Sequence, residues 1–480
     1  MANLKKNLAY NFLLSCSQVL LPLVSIPYIT RVLLPDGIGR VSFIDSLSFY
    51  FLAIAEFGIA AYGVSEVARI QQDHAKQRRL VSELLLLHFV TSGITLVLYG
   101  ITVYLLWQKI QDIRLVLFSV AFLLVNFFAC EWYFQGIEKF RYITTRSLIS
   151  RLLALASMFI LIKEPGHYYI YYGIMVGAAI INLATNAVIV FRKLQIRFKG
   201  VQWRHHLRHT RITYLISLFY SITSILDNVL LGMVSTAAAV GLYALPVRIV
   251  RLLGNLLTDM FLVLFPRTVA LVHADREADL KRTILRSVQL ITLLTIPAGL
   301  GIYLLAGPVV QVVLSDRFHG ATASLQILAV LPFIKTYNLF LGKQILMSHQ
   351  REKQYLYALV TGGLVFVVLS LILSYYFHQT GACYALIIAE SIILLISYWQ
   401  VRRMRPQLPL IDFRTLLQSC ICAALFIPII RLIEKYIESP ALVVLLSLAI
   451  CIPVYFAGQA FIMKNKLLQG LLQSWQKTIT

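Results

Sequence analysis

Charge is what this chain has least of. Only 13% of its 480 residues are Asp, Glu, Lys or Arg, against 59% hydrophobic residues, whereas a soluble domain carries about a quarter charged. Acidic residues are scarcest, 21 against 43 Lys and Arg, for a formal net charge of +22. No long polar stretch separates the apolar runs, which leaves no room for a soluble catalytic domain or a basic nucleic-acid-binding module. A polymerase or glycosyltransferase is disfavoured for the same reason, since such chemistry needs a sizeable loop outside the membrane. A Gly-x-x-x-x-Gly-Lys-Ser/Thr phosphate loop is also missing, which argues against direct use of ATP. The six cysteines, Cys16, Cys130, Cys383, Cys420, Cys422 and Cys451, all fall in apolar runs, as small hydrophobes do, and set out no disulfide framework.

What the chain has is apolar length. A mean hydropathy of +0.78 places it in a membrane, and runs of about 20 residues, enough to cross about 30 Å of hydrocarbon, recur from residue 9 to residue 463. They predict an all-α polytopic membrane protein with about 14 transmembrane helices. The first run, after Lys5 and Lys6, is long and lacks a cleavage site, so it reads as a retained span. Arg69, Lys76, Arg78 and Arg79 follow the second span, and further Lys and Arg follow the fourth, eighth, tenth and twelfth. By the positive-inside rule both termini are cytoplasmic.

The most basic loop sets the expected divisions: a six-helix lobe over 1–191, a cytoplasmic linker over 192–211, a second six-helix lobe over 212–401, two additional spans over 402–463, and an amphipathic cytoplasmic tail over 464–480. His205, His206 and His209 in that linker have no acidic or cysteine neighbour in sequence and read as a solvated basic segment rather than a metal site. A weak repeat at an offset of about 203 residues implies two lobes around a central cavity.

Charges inside apolar spans need a reason, because each costs at least about 2.5 kcal/mol at the bilayer centre. Residues 27–63 carry Arg31, Asp45 and Glu56 around the turn Pro35-Asp36-Gly37. The step of 11 from Asp45 to Glu56 is close to three helical turns and puts both carboxylates on one face. Arg31, Arg248, Arg251 and Lys335 are the candidate cationic ligands for a diphosphate, since guanidinium groups offer several donors in a fixed fork. Neutralising nearby carboxylates, or snorkelling to the interface, is the structural alternative. Asp45, Glu56, Asp227 and Glu390 are candidates for coupling to a proton or sodium ion, with helix-to-helix hydrogen bonding as the alternative. Pro27, Pro246, Pro297 and Pro332 interrupt spans and read as hinges or static kinks. No metal or other cofactor is expected.

Four stretches together carry a family resemblance: Leu21-Pro22-Leu23 through Arg31 to Gly37-Ile38-Gly39; Glu131-Trp132-Tyr133-Phe134-Gln135-Gly136-Ile137-Glu138-Lys139-Phe140; Ile225-Leu226-Asp227-Asn228-Val229-Leu230-Leu231-Gly232 with Val240-Gly241-Leu242-Tyr243; and Ser315-Asp316-Arg317-Phe318 with Ala323-Ser324-Leu325-Gln326. In this order they resemble Wzx-type O-antigen flippases, in the polysaccharide branch of the multidrug/oligosaccharidyl-lipid/polysaccharide exporter superfamily. The resemblance implies a bacterial inner-membrane flippase, not an enzyme. Its implied substrate is an undecaprenyl-diphosphate-linked oligosaccharide, moved by alternating access, with polysaccharide polymerase and chain-length machinery as implied partners. A cation-coupled exporter of small drugs from the same superfamily is the alternative.

Overall fold

The computed structural model describes residues 2–196, 198, 202–262, 264–465 and 467–469. Among these there is no strand, so backbone hydrogen bonds close within helices, as hydrocarbon requires. Among the described residues, nine helices are long and apolar enough to cross a membrane, or eleven if each of two bent pairs counts as one. This confirms a polytopic all-α protein and gives a smaller count than the expected 14.

Much of the difference lies in two long helices that the chain reverses without a loop. Glu352–Met404 spans 53 residues, which at 1.5 Å each would reach roughly 80 Å, more than twice the hydrocarbon thickness. It breaks at His378, with φ 50° and ψ −128°, and its halves then run antiparallel. A Cβ on Gly381 would lie 2.1 Å from the Leu373 carbonyl oxygen, and one on Gly362 would lie 2.2 Å from the Ile393 side chain. Ala2–Glu56 breaks likewise at Leu34, with φ 59° and ψ 171°. Here the cause is local, because the residue before a proline is pushed out of the α region and Pro35 suits the first turn of a new helix. The turn therefore sits one residue earlier than expected. Pro332 also stands at a helix start, Leu331–Leu339, after a 41° bend.

The chain forms two compact units, residues 1–241 and 242–480. In the first, glycines set the closest approaches. A Cβ on Gly39 would lie 1.7 Å from the Ala237 carbonyl oxygen, one on Gly241 would lie 2.1 Å from that of Pro35, and one on Gly232 would lie 2.2 Å from the Phe43 ring. The first and third family-like stretches thus pack on each other. The second stretch forms the short helix Glu131–Gly136, which packs on Ile59–Arg69 where Gly63 faces the Trp132 ring. Trp132 is buried there, not set at the interface as tryptophans often are in membrane proteins. In the second unit the C-terminal helices Phe413–Ala424, Phe426–Tyr436 and Pro440–Ala457 bury Phe426, Ile430, Cys451 and Tyr455 against Leu293 and Leu305. The amphipathic tail lies largely outside the described residues.

Candidate functional site

In the second unit, two of the expected charged residues meet. Lys335 on Leu331–Leu339 and Glu390 on the second half of Glu352–Met404 form an ion pair, Nζ to Oε1 3.3 Å, with side chains only 13% and 3% exposed. Asn338, one turn beyond Lys335, donates its Nδ2 to Glu390 Oε2 at 2.7 Å and to the Glu390 carbonyl at 2.9 Å. Arg251 lines the adjoining cleft, together with Lys335, Gly254 and Thr258. Thr258 and Thr336 hydroxyls, 3.2 Å apart, tie the two walls together. The cleft is thus lined by two cations, Arg251 and Lys335, and Lys335 is already engaged by Glu390. Arg248, one turn before Arg251, is exposed.

In the first unit the acidic residues occupy different environments. Asp227 is fully buried and opens the helix Asp227–Val234, after a 46° bend from Thr210–Ser224. Its neighbour Asn228 donates to Ser46 Oγ at 2.8 Å. Asp45 is half-buried and Glu56 exposed, while Ser46, Leu47 and Ser48 between them are buried. Positions 45, 49, 53 and 56 are all less buried than these, so Asp45 and Glu56 share one face of their helix, with Phe49 and Ala53 between them. Inside that face Ser48 lies 3.4 Å from the Tyr99 hydroxyl and 3.3 Å from that of Tyr172. Glu56 ends its helix at Phe57 and Gly58, both with positive φ. Arg31 is exposed. The structure joins Lys335 to Glu390 and places Arg251 in the same cleft as Lys335; it does not bring Asp45, Glu56 or Asp227 into an ion pair with Arg31 among the described residues.

Sequence reasoning missed two polar clusters. His206 does have an acidic partner: its Nε2 is 3.0 Å from Glu83 Oε2, and its Nδ1 is 3.0 Å from the Tyr62 hydroxyl. Glu83 also accepts from Arg79 Nε at 3.0 Å. Arg146 is bonded to Glu131 Oε2 at 2.7 Å and to Asn186. Among the described residues no group of three or more His, Cys, Asp or Glu is arranged to hold a metal ion.

A multi-pass helical protein with charges buried inside its spans belongs to the class of membrane transporters. Residues 4–272 match the family described as polysaccharide biosynthesis protein, more than half of the chain, and the chain belongs to that family. It is 24% identical over 407 residues, 83% of this chain and 97% of the relative, to a protein of Escherichia coli (strain K12) assigned as an O-antigen transporter. It is 27% identical over 163 residues to one of the same assignment from Shigella dysenteriae, covering 34% of this chain and 40% of that one. In fold it is similar to the lipid II flippase MurJ in an inward closed conformation, with a TM-score of 0.70 at 13% identity over 96% of this chain and 99% of that one. A multidrug-resistance transporter of the MATE family, of the MOP superfamily, in an inward-facing conformation gives a TM-score of 0.56 at 14% identity, over 80% and 99%.

Proposed function

We propose that this protein is a flippase that carries a lipid-linked oligosaccharide, an undecaprenyl-diphosphate-linked repeat unit of O-antigen or another surface polysaccharide, across the bacterial inner membrane by alternating access, without covalent chemistry. Family membership and the O-antigen transporter relatives support the substrate class. The observation that supports the mechanism is that Arg251 and Lys335, two cations on membrane-spanning helices, line one cleft. The cleft, about 10 Å³ here, would have to widen for a diphosphate, whose oxygens would then offer Lys335 the acceptors that Glu390 now supplies. Arg31 and Arg248, both exposed, are assigned as further cations on its route, and Asp45, Glu56 and Asp227 as positions for the coupling proton or sodium ion. Fourteen crossings with both termini cytoplasmic follow if the halves of each kinked helix, and the shorter apolar helix Ile113–Asn126, count as spans.

The drug-exporter alternative is less well supported. The MATE fold is the weaker likeness, and Glu390, a buried carboxylate of the kind an organic cation would seek, is taken by Lys335. In a strain deleted for its own O-antigen flippase and complemented with this gene, R248E/R251E is expected to lower surface polysaccharide at least about tenfold, with the variant still in the membrane. Undiminished polymer at normal protein levels would remove the cationic cleft from the mechanism.

A further inference from the structure

A cavity of about 1210 Å³ in the first unit lies beside the Arg146 network, between the start of Ala2–Glu56, Phe140–Leu161 and Tyr168–Leu194. Its two ends differ in chemistry. At the first turns of Phe140–Leu161 it is lined by Lys139, Arg141 and Arg146, and farther along by Ile149, Leu153 and Ile181. From Arg141 to Leu153 is about 18 Å of helix, the distance from a headgroup layer well into hydrocarbon. Ile149, Leu153 and Ile181 are all more than half exposed, which is where a lipid chain lies against a span.

The cationic end is built into the fold. Short helix Glu131–Gly136 ends in a left-handed turn at Glu138, φ 56°. The Lys139 amide closes that turn on the Phe134 carbonyl at 2.9 Å, and this sets Lys139 and Arg141 at the start of the next helix. Both are exposed, and neither is in an ion pair among the described residues. Arg146 is 8% exposed, held by Glu131 and Asn186, and its buried Nε has no acceptor among the described residues. Glu138 is the opposing carboxylate on the wall. With Glu131 also counted, three cations face two acids, and the helix N-terminus adds positive potential to the same spot.

We propose that this groove is a binding site for an anionic membrane phospholipid. Its phosphate sits at Lys139 and Arg141 above the fixed charge of Arg146, and its acyl chains run along Ile149, Leu153 and Ile181. The site is separate from the Arg251–Lys335 cleft and stands whether or not that cleft binds a diphosphate. The test is native mass spectrometry of the full-length protein from detergent, titrated with phosphatidylglycerol or phosphatidylcholine. Wild type is expected to retain phosphatidylglycerol at about 25-fold lower lipid concentration than phosphatidylcholine, and K139Q/R141Q to lose that preference, at about fivefold per cation. Both substituted side chains are exposed, so the double variant is expected to fold; R146Q, which dismantles a buried network, serves as a second variant if its melting temperature is unchanged. Equal retention of the two lipids by wild type, or an unchanged preference in K139Q/R141Q, overturns the proposal. So does displacement of phosphatidylglycerol by undecaprenyl diphosphate with the same sensitivity to K139Q/R141Q, which would make the groove a loading point for the transported lipid.

Discussion

At the scale of single residues, a buried ion pair is sensitive to losing one member and tolerant of losing both. Removing one partner leaves an uncompensated charge, at about 3–5 kcal/mol, whereas replacing both is often close to neutral. K335M is therefore expected to unfold well before wild type in detergent, with K335M/E390Q recovering most of the loss. Equal damage in the single and double variants would show that Lys335 and Glu390 do not depend on each other. Each charge was legible in the sequence as an anomaly inside an apolar span, but their pairing was not, because it depends on how two separate helices are turned. The same limit hid Glu83 from His206, 123 residues away. Outside the spans, burial pushes the Asp112 carboxyl up, but hydrogen bonds from Arg114 Nε and Nη2, the Tyr168 hydroxyl and the Arg114 amide outweigh it and hold it at about 2. This folded value is below the ordinary 3.8, so its stabilisation is complete above about pH 5 and is lost as pH falls through 4 towards 2. D112N should flatten the stability profile over that window.

At the scale of elements, small residues decide which helices meet. Gly39 and Gly241 let two helices touch at their backbones, and a side chain at either would need to occupy the place of a carbonyl oxygen. G39V and G241V are each expected to cost at least about 1–3 kcal/mol, read as lower melting temperature and lower yield from the membrane. A variant as stable as wild type would contradict that contact. The break at Leu34 was readable because Pro35 follows it. The break at His378 was readable as a boundary between spans ending near 377 and starting near 380, but its tightness was not, since Gln379 and Thr380 carry no turn signal and only Gly381, three residues on, marks the close return. A histidine at φ 50° also carries backbone strain, so H378G is expected to be neutral or stabilising by up to about 1 kcal/mol.

At the scale of the whole molecule, composition alone fixed the class, because no soluble fold accommodates so much apolar length. The number of crossings was harder to read, since hairpins without loops and spans bent in the middle blur what length can count. Reporter fusions resolve it. Fusions at Gln72, Asp275, Gln350 and Gln407 should report the cytoplasm, and fusions at His167, Asp316, His378 and Glu438 the outer side. Taken in chain order the eight sites should alternate, and two consecutive ones reporting the same side would remove a crossing.

The one-residue reversal at His378 also bears on how this protein can be handled. With Gly381 seated on the Leu373 carbonyl, a protease cannot thread that bend into its active site, and an inserted epitope would have to prise the two halves apart. Nicking and tagging should succeed instead at residues 274–276, which are exposed between the helices Phe265–His273 and Glu277–Leu304.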